Sequence, residues 1–338
     1  MKLIRYKNNP ILTPDKNHGW EASAVFNPSV VFHNGIFHML YRALPKGIKP
    51  FITYWGKHGY KNFISSIGYA KSTDGIHFTR REKPLIPPSE KYDSFGCEDP
   101  RVTKIGDTFY IFYTAINRPV YEGKTFVVPK IALATTKDFI TIKKYGVIGP
   151  NIASKAGVLF PEKIQGKFAM LLTPKSDSPL SSISLAYFKN IEELFSRSKI
   201  YWEKFLKTLP KHFVMGPPKG SKRGPETGAA PIKTKKGWLF IYCGEDYRVS
   251  GKKEWNIKAA LLDLKNPQKI IAKTKEPILR PEKKYELHGI VPNVTFPEGA
   301  IIVGNGRDRS LLYVYYGGAD SCCCLATCDV NELLDSIV

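Results

Sequence analysis

The stretch "FGCEDPRV", residues 95–102, sets two acids, Glu98 and Asp99, ahead of a rigid Pro100 and a cation, Arg101, just where a strand-like run begins. An acid fixed by proline at a strand mouth suits proton transfer, and the same pattern suits a turn closed by a surface ion pair. Four further segments lead polar, turn-forming residues into apolar runs: "FNPS", "SKAGVLFPE", "RGPETGAAP" and "GIVPN". If these segments converge, Asn27, Asp99, Glu162, Glu226 and Asn293 share one pocket. Two separated carboxylates with Arg and Asn beside them suit glycoside cleavage. One carboxyl protonates the leaving oxygen, and water or another acceptor attacks the opposite face. Tyr41, Tyr113 and Trp238 offer rings that could stack on a sugar or simply pack in a core.

The elements that would position these residues repeat along the chain. "NPSVVFHNGIFHMLYRA", "DPRVTKIGDTFYIFYTA", "GVLFPEKIQGKFAMLLT" and "AAPIKTKKGWLFIYCG" each alternate apolar residues around a glycine turn, and a fifth copy begins at "PNVTFPEGA". Each reads as a β-hairpin. The turn glycines Gly35, Gly106, Gly166 and Gly237 are 71, 60 and 71 residues apart, the length of a propeller blade with its loops. A small-apolar strand ending in a polar turn follows each hairpin, as in "IGYAKSTDGIHF" and "IALATTKDFITI". A fourth strand is expected in segments such as "KPLIPP" and "EPILRP". Five such units predict an all-β fold, a five-bladed β-propeller over residues 1–338, which hides its sheet edges by radial repetition. In that fold the innermost strands start around the central channel, so the five polar segments would meet there. The departure from regularity is an insertion at about 196–228, partly helical and then rich in Pro and Gly.

Composition narrows the classes. The 338 residues have the apolar and charged fractions of a globular protein. The beginning, "MKLIRYKNNP", shows no apolar leader and no run reaches membrane-spanning length, so the expected compartment is the cytoplasm. The net charge of +21 raises the question of nucleic acid, but the lysines are scattered and no zinc finger, RNP-type motif or basic helix accompanies them. The six cysteines lack the spacing of a metal site. In a strand, Cys322 and Cys324 would face one way and Cys323 the other, as reduced packing residues. No metal or organic cofactor is expected, and a homo-oligomer stays open.

Taken together, "FNPSVV" with "YRA", "GCEDPRV", "VLFPEKI", "GWLFIYCG", "VPNVTFPEGA" and "YYGGADSCCCLAT" resemble glycoside hydrolase family 130, the β-mannoside phosphorylases and their hydrolytic relatives, nearly end to end. The resemblance implies a five-bladed propeller with Asp99 as the acid, its proton passing through a hydroxyl of the bound mannose in phosphorolytic members. It implies that Asn27 and Arg42 hold the sugar, that Arg101 orders the acid's loop or touches substrate, and that Asn293 lies near. The chain departs from the family pattern where inorganic phosphate, the co-substrate of a phosphorylase, would be cradled. Ser154 stands for an asparagine, Lys163 for an arginine, Glu226 for a lysine and Cys243 for a histidine. Lysine keeps the charge but loses the bidentate fork, and glutamate repels a dianion. These departures favour an inverting hydrolase with Glu226 as base over a phosphorylase, a mannosyltransferase or a glycan-binding propeller. Ile290 stands where a sugar-contacting aspartate is usual, with Glu286 or His288 to compensate.

Overall fold

The computed structural model describes residues 1–52, 58–119, 127–196, 199–217, 224–247, 253–304 and 310–337. Five four-stranded antiparallel sheets form a five-bladed β-propeller. Blade I contains Ala24–His33, Ile36–Leu44, Ser66–Ser72 and Thr79–Arg80 from centre to rim. Blade II contains Gly96–Ile105, Thr108–Ile116, Lys130–Thr136 and Lys143–Val147; blade III contains Ser154–Leu159, Phe168–Pro174, Ile183–Phe188 and Phe213–Met215. Ile232–Thr234, Gly237–Tyr247, Lys253–Leu262 and Ile270–Lys273 make blade IV. Blade V takes Thr295–Val303, Leu311–Gly318 and Cys322–Asp329 from the C-terminal end, and its rim strand is Ile4–Arg5 from the other end of the chain.

That closure, and the position of the rim strands, differ from the sequence expectation. "KPLIPP" and "EPILRP" contribute only the isolated bridges Ile67↔Ile86 and Ile257↔Leu279. The rim strands of blades I and IV are Thr79–Arg80 and Ile270–Lys273. A rim strand of two to four residues is too short to show alternation, so its pairing is decided by which backbone lies beside the third strand.

Alternation within each strand sends side chains into the gaps between neighbouring blades, and each of the five gaps holds a core. Leu40, Ile67, Phe109 and Ile111 pack between blades I and II; Phe112, Leu133, Met170 and Phe188 pack between II and III. Val158, Leu171, Trp238 and Phe240 fill III–IV; Ile241, Ile257, Val314 and Tyr316 fill IV–V; Val25, Met39, Tyr315 and Leu325 fill V–I. Each fully buried large side chain contributes about 1.5–3 kcal/mol. The cysteines join this packing, all six free and buried. Cys322, Cys324 and Cys328 face blade IV, and Cys323 faces blade I. Tyr41, Tyr113 and Trp238 are core residues as well.

Within the expected insertion, the helix Lys199–Lys207 lays Trp202 and Phe205 on the II–III core, and the Trp202 indole N–H donates to the Ile148 carbonyl at 2.9 Å. Residues 197–198 and 218–223 of that segment lie outside the described residues.

Candidate active site

The innermost strands share one irregularity at the end where they begin. Pairing slips between Phe26 and Ser29 in blade I, between Glu98 and Arg101 in blade II, and between Lys155 and Val158 in blade III. In blade IV Glu226 pairs with Cys243 and the Ala229 amide donates to the Ile241 carbonyl, which leaves Thr227 and Gly228 bulged. Blade V slips between Pro297 and Gly299, around Glu298. A bulge bends the strand and re-aims a side chain. The bulged Asn27, Asp99 and Ala156 have left-handed backbones, with φ of +52°, +51° and +57°. Asn and Asp tolerate that region better than other non-glycine residues, which accounts for "NP" and "DP" at these two places.

Asp99 is clasped from blade I. The Asn27 amide donates to Oδ1 at 2.9 Å, and Arg42 Nη1 donates to the same oxygen at 3.2 Å. Arg42 Nη2 donates to Glu98 Oε1 at 2.6 Å, and the Ser65 hydroxyl donates to that oxygen at 3.1 Å. The guanidinium lies over the Phe26 ring at 4.9 Å and the Phe63 ring at 5.2 Å, cation–π contacts that help hold it. Burial by itself would raise the Asp99 carboxyl; Arg42, Lys155 and Arg101 together with the Asn27 hydrogen bond outweigh it and hold Asp99 below the ordinary carboxylate range. Glu98 goes the other way, because burial and the Asp99 charge exceed what Arg42 gives back.

Asp320 lies on the turn between the second and third strands of blade V, with φ of +50°. Burial pushes its carboxyl up to about 7, against the pull of Arg42 and with the push of Asp99. The strand that leads into this turn is pressed close to Asn27: a Cβ on Gly317 would meet Asn27 Oδ1 at 2.3 Å. Lys155 Nζ pairs with Asp177 at 2.7 Å. The site thus sets an ionised carboxylate, Asp99, near a carboxyl that still carries a proton close to neutrality, Asp320, the arrangement that acid–base chemistry uses.

Arg101 is buried, and its fork is occupied within the protein. Nη1 donates to the Asp99 carbonyl at 3.1 Å, Nη2 to the Thr227 carbonyl at 2.9 Å and Nε to the Gly228 carbonyl at 3.1 Å. Its Nη2 is also 3.0 Å from Glu298 Oε1. This ties the bulges of blades II, IV and V together and places Glu226, the residue before Thr227, beside the same knot.

The other residues singled out by sequence divide between the surroundings of this knot, as with Cys243, and places far from it, as with Lys163. Glu286 is buried as a staple: it accepts from Arg5 Nε at 2.8 Å, from the Tyr316 hydroxyl at 2.8 Å and from two backbone amides. His288 is exposed. Ile290 packs with Phe63 against Phe26. Asn293 comes five residues before Glu298, and its carbonyl accepts from the Trp255 amide at 2.9 Å. Ser154 is buried at the start of its strand, with a hydroxyl that has no hydrogen-bond partner. Cys243 is buried opposite Glu226, and burial, then Glu226, drives its thiol well up. Lys163 is exposed over the Phe168 ring near the hairpin turn, and Glu162 pairs with Lys233 on the surface. Both follow the bulge by six or more residues, so the strand carries them away from Asp99. The residues at the bulge level that sequence reasoning passed over are Lys155 and Glu298, with Asp320 on the adjoining turn. "FNP" and "FPE" at the start of blades I and V were the available signal for Glu298.

Among the described residues one acidic cluster, Asp15, His18 and Glu21, has the proximity for a metal ion. Glu21 is already held by the Tyr41 hydroxyl at 2.8 Å, His18 at 2.8 Å and Arg80 at 3.2 Å. Among the described residues no helix is long and apolar enough to cross a membrane.

The family described as β-1,4-mannooligosaccharide phosphorylase matches residues 3–338. The chain belongs to glycoside hydrolase family 130. It is 35% identical over 336 residues to a 1,2-β-oligomannan phosphorylase from Thermoanaerobacter sp. (strain X514), covering 98% of this chain and 99% of the relative. A β-1,2-mannobiose phosphorylase from the same organism is 35% identical over 324 residues, covering 95% of each chain. Among solved structures, β-1,2-mannobiose phosphorylase from Listeria innocua in complex with β-1,2-mannobiose superposes with a TM-score of 0.76 at 28% identity, covering 100% of this chain and 99% of that one. This family 130 chain is therefore a glycoside-processing enzyme.

Proposed function

We propose that the protein is a phosphorylase of β-mannosides, acting on β-1,2 linkages, with Asp99 as the acid. The observation that carries this reading is the Asp99 carboxylate clasped by Asn27 and Arg42 at the bulge level. The choice of phosphate over water follows the relatives at 35% identity, both phosphorylases across nearly the whole chain. It departs from the hydrolytic expectation, which rested on Ser154, Lys163, Cys243 and above all Glu226 standing at altered phosphate positions; of these, Lys163 lies on the surface away from Asp99.

In the reaction, the acid's proton goes to the glycosidic oxygen while the C1–O bond breaks, and a phosphate oxygen forms a bond to C1 from the opposite face. The products are mannose 1-phosphate of inverted configuration and the shortened acceptor sugar. Arg42, Lys155, Arg101 and the Asn27 amide hold Asp99 ionised, so sugar hydroxyls must take over part of the Asn27 and Arg42 contacts before it carries a proton. Lys155, whose charge acts on Asp99 and whose Nζ pairs with Asp177 at 2.7 Å, is the cation we assign to phosphate in this reading.

A specific observation keeps hydrolysis as the second reading: Glu226 precedes the Thr227 carbonyl that Arg101 ties to Asp99. Incubation with β-1,2-mannobiose with and without inorganic phosphate separates the two. Mannose 1-phosphate formed only with phosphate is the expected result. Equal release of free mannose in both tubes would replace phosphate by water and put Glu226 in the role of base.

A further inference from the structure

We propose that Glu298 is a positioning residue for Asp99, acting through Arg101; the proposal rests on Asp99 being the acid of the reaction above. Glu298 occupies the bulge of blade V and is 1% exposed. Its Oε1 lies 3.0 Å from Arg101 Nη2, yet neither carboxyl oxygen has a hydrogen-bond partner. A buried carboxyl in that condition is costly, and a position needed only for packing would hold an apolar side chain. What Glu298 touches is the guanidinium that grips the Asp99 carbonyl and the Thr227 and Gly228 carbonyls. It therefore sets the plane of a fork whose other end keeps Asp99 in its left-handed backbone.

The charge balance points the same way. Four charged side chains act on Glu298: Arg101 and Asp99 from blade II, Arg42 from blade I and Asp320 from blade V. Burial holds its carboxyl well above the ordinary range despite Arg101. Kept neutral, Glu298 orients Arg101 without neutralising it, and the positive charge remains with Asp99. Ionised, it would compete with Asp99 for that charge.

The test compares wild type, Glu298→Gln and Glu298→Leu with β-1,2-mannobiose and phosphate over a range of pH. Glu298→Leu should lose kcat by about a hundredfold with KM within about threefold. Glu298→Gln, neutral and of the same shape, should recover most of that loss. Its kcat should also hold up at alkaline pH where wild type declines. Glu298→Leu with wild-type kcat would overturn the proposal, as would a Gln variant that fails to rescue or that keeps the wild-type pH profile.

If wild type itself turns over no mannoside, the functional reading fails separately, and unfolding decides this proposal. A carboxyl whose folded value is raised binds more protons folded than unfolded, so stability falls as pH rises above the unfolded value. Wild type should lose denaturant midpoint between pH 5 and 8 more steeply than Glu298→Gln. Equal slopes would overturn the proposal without reference to activity, and this comparison also stands if Glu298→Leu does not fold.

Discussion

At the residue scale, the site depends on two carboxyls held at close range by one guanidinium. Arg42 serves Glu98 and Asp99 together, and the pair divides unequally: Asp99 is held low and Glu98 high. Asp99→Asn keeps the shape and the left-handed backbone but has no proton to give. It should lower kcat by about a thousandfold, while titration calorimetry with mannose shows affinity within about threefold of wild type. Asp320 gives a prediction in pH. Its carboxyl is raised from the ordinary 3.8 to about 7, so it contributes stability at low pH that is lost as pH rises across that interval. Denaturant midpoints should fall over that interval in wild type, and Asp320→Asn should flatten the curve. Identical curves would mean that Asp320 is not desolvated by the site.

At the scale of the element, the five bulges are the device that aims side chains at the centre. They were only partly legible in sequence. "NP" and "DP" marked blades I and II because left-handed backbone favours Asn or Asp, but blade III has Ala156 in that conformation, with no signal in its type. An alanine there is strained by about 1 kcal/mol relative to glycine. Ala156→Gly should therefore raise stability by some part of that amount, read from equilibrium unfolding. A loss would mean that the chain entropy of glycine outweighs the relief. The same blindness misplaced Glu162, which pairs with Lys233 on the surface. Sequence fixed which strands carry the site, whereas register decides which residue on a strand reaches it.

At the scale of the whole molecule, the propeller closes by a two-residue strand from the start of the chain, Ile4–Arg5, paired with Cys322–Asp329. Arg5 reinforces the closure by reaching buried Glu286 with Nε at 2.8 Å and Nη2 at 2.9 Å. This explains why Glu286 belongs to closure and not to sugar binding. Arg5→Ala leaves a buried carboxylate without its cation and should cost about 3 kcal/mol, measured as a drop in thermal or denaturant midpoint. An unchanged midpoint would show that the Tyr316 hydroxyl and the backbone amides suffice for Glu286.

The sequence by itself determined the five repeated hairpins and the propeller they imply, which follow from alternation and glycine turns, both of them local. The expectation of Asp99 as acid with Asn27 and Arg42 beside it comes from the resemblance of short motifs to the family, and the structure brings those three side chains together. Tertiary structure alone decided which other charges share the centre. Lys155, Glu298 and Asp320 meet Asp99 because blades II, III and V converge there. Glu286 and Lys163 are carried away from it by strand direction and chain closure. The repeat phase predicts that the blade entries meet, but which charged side chains reach the centre depends on register and on contacts between segments far apart in the chain.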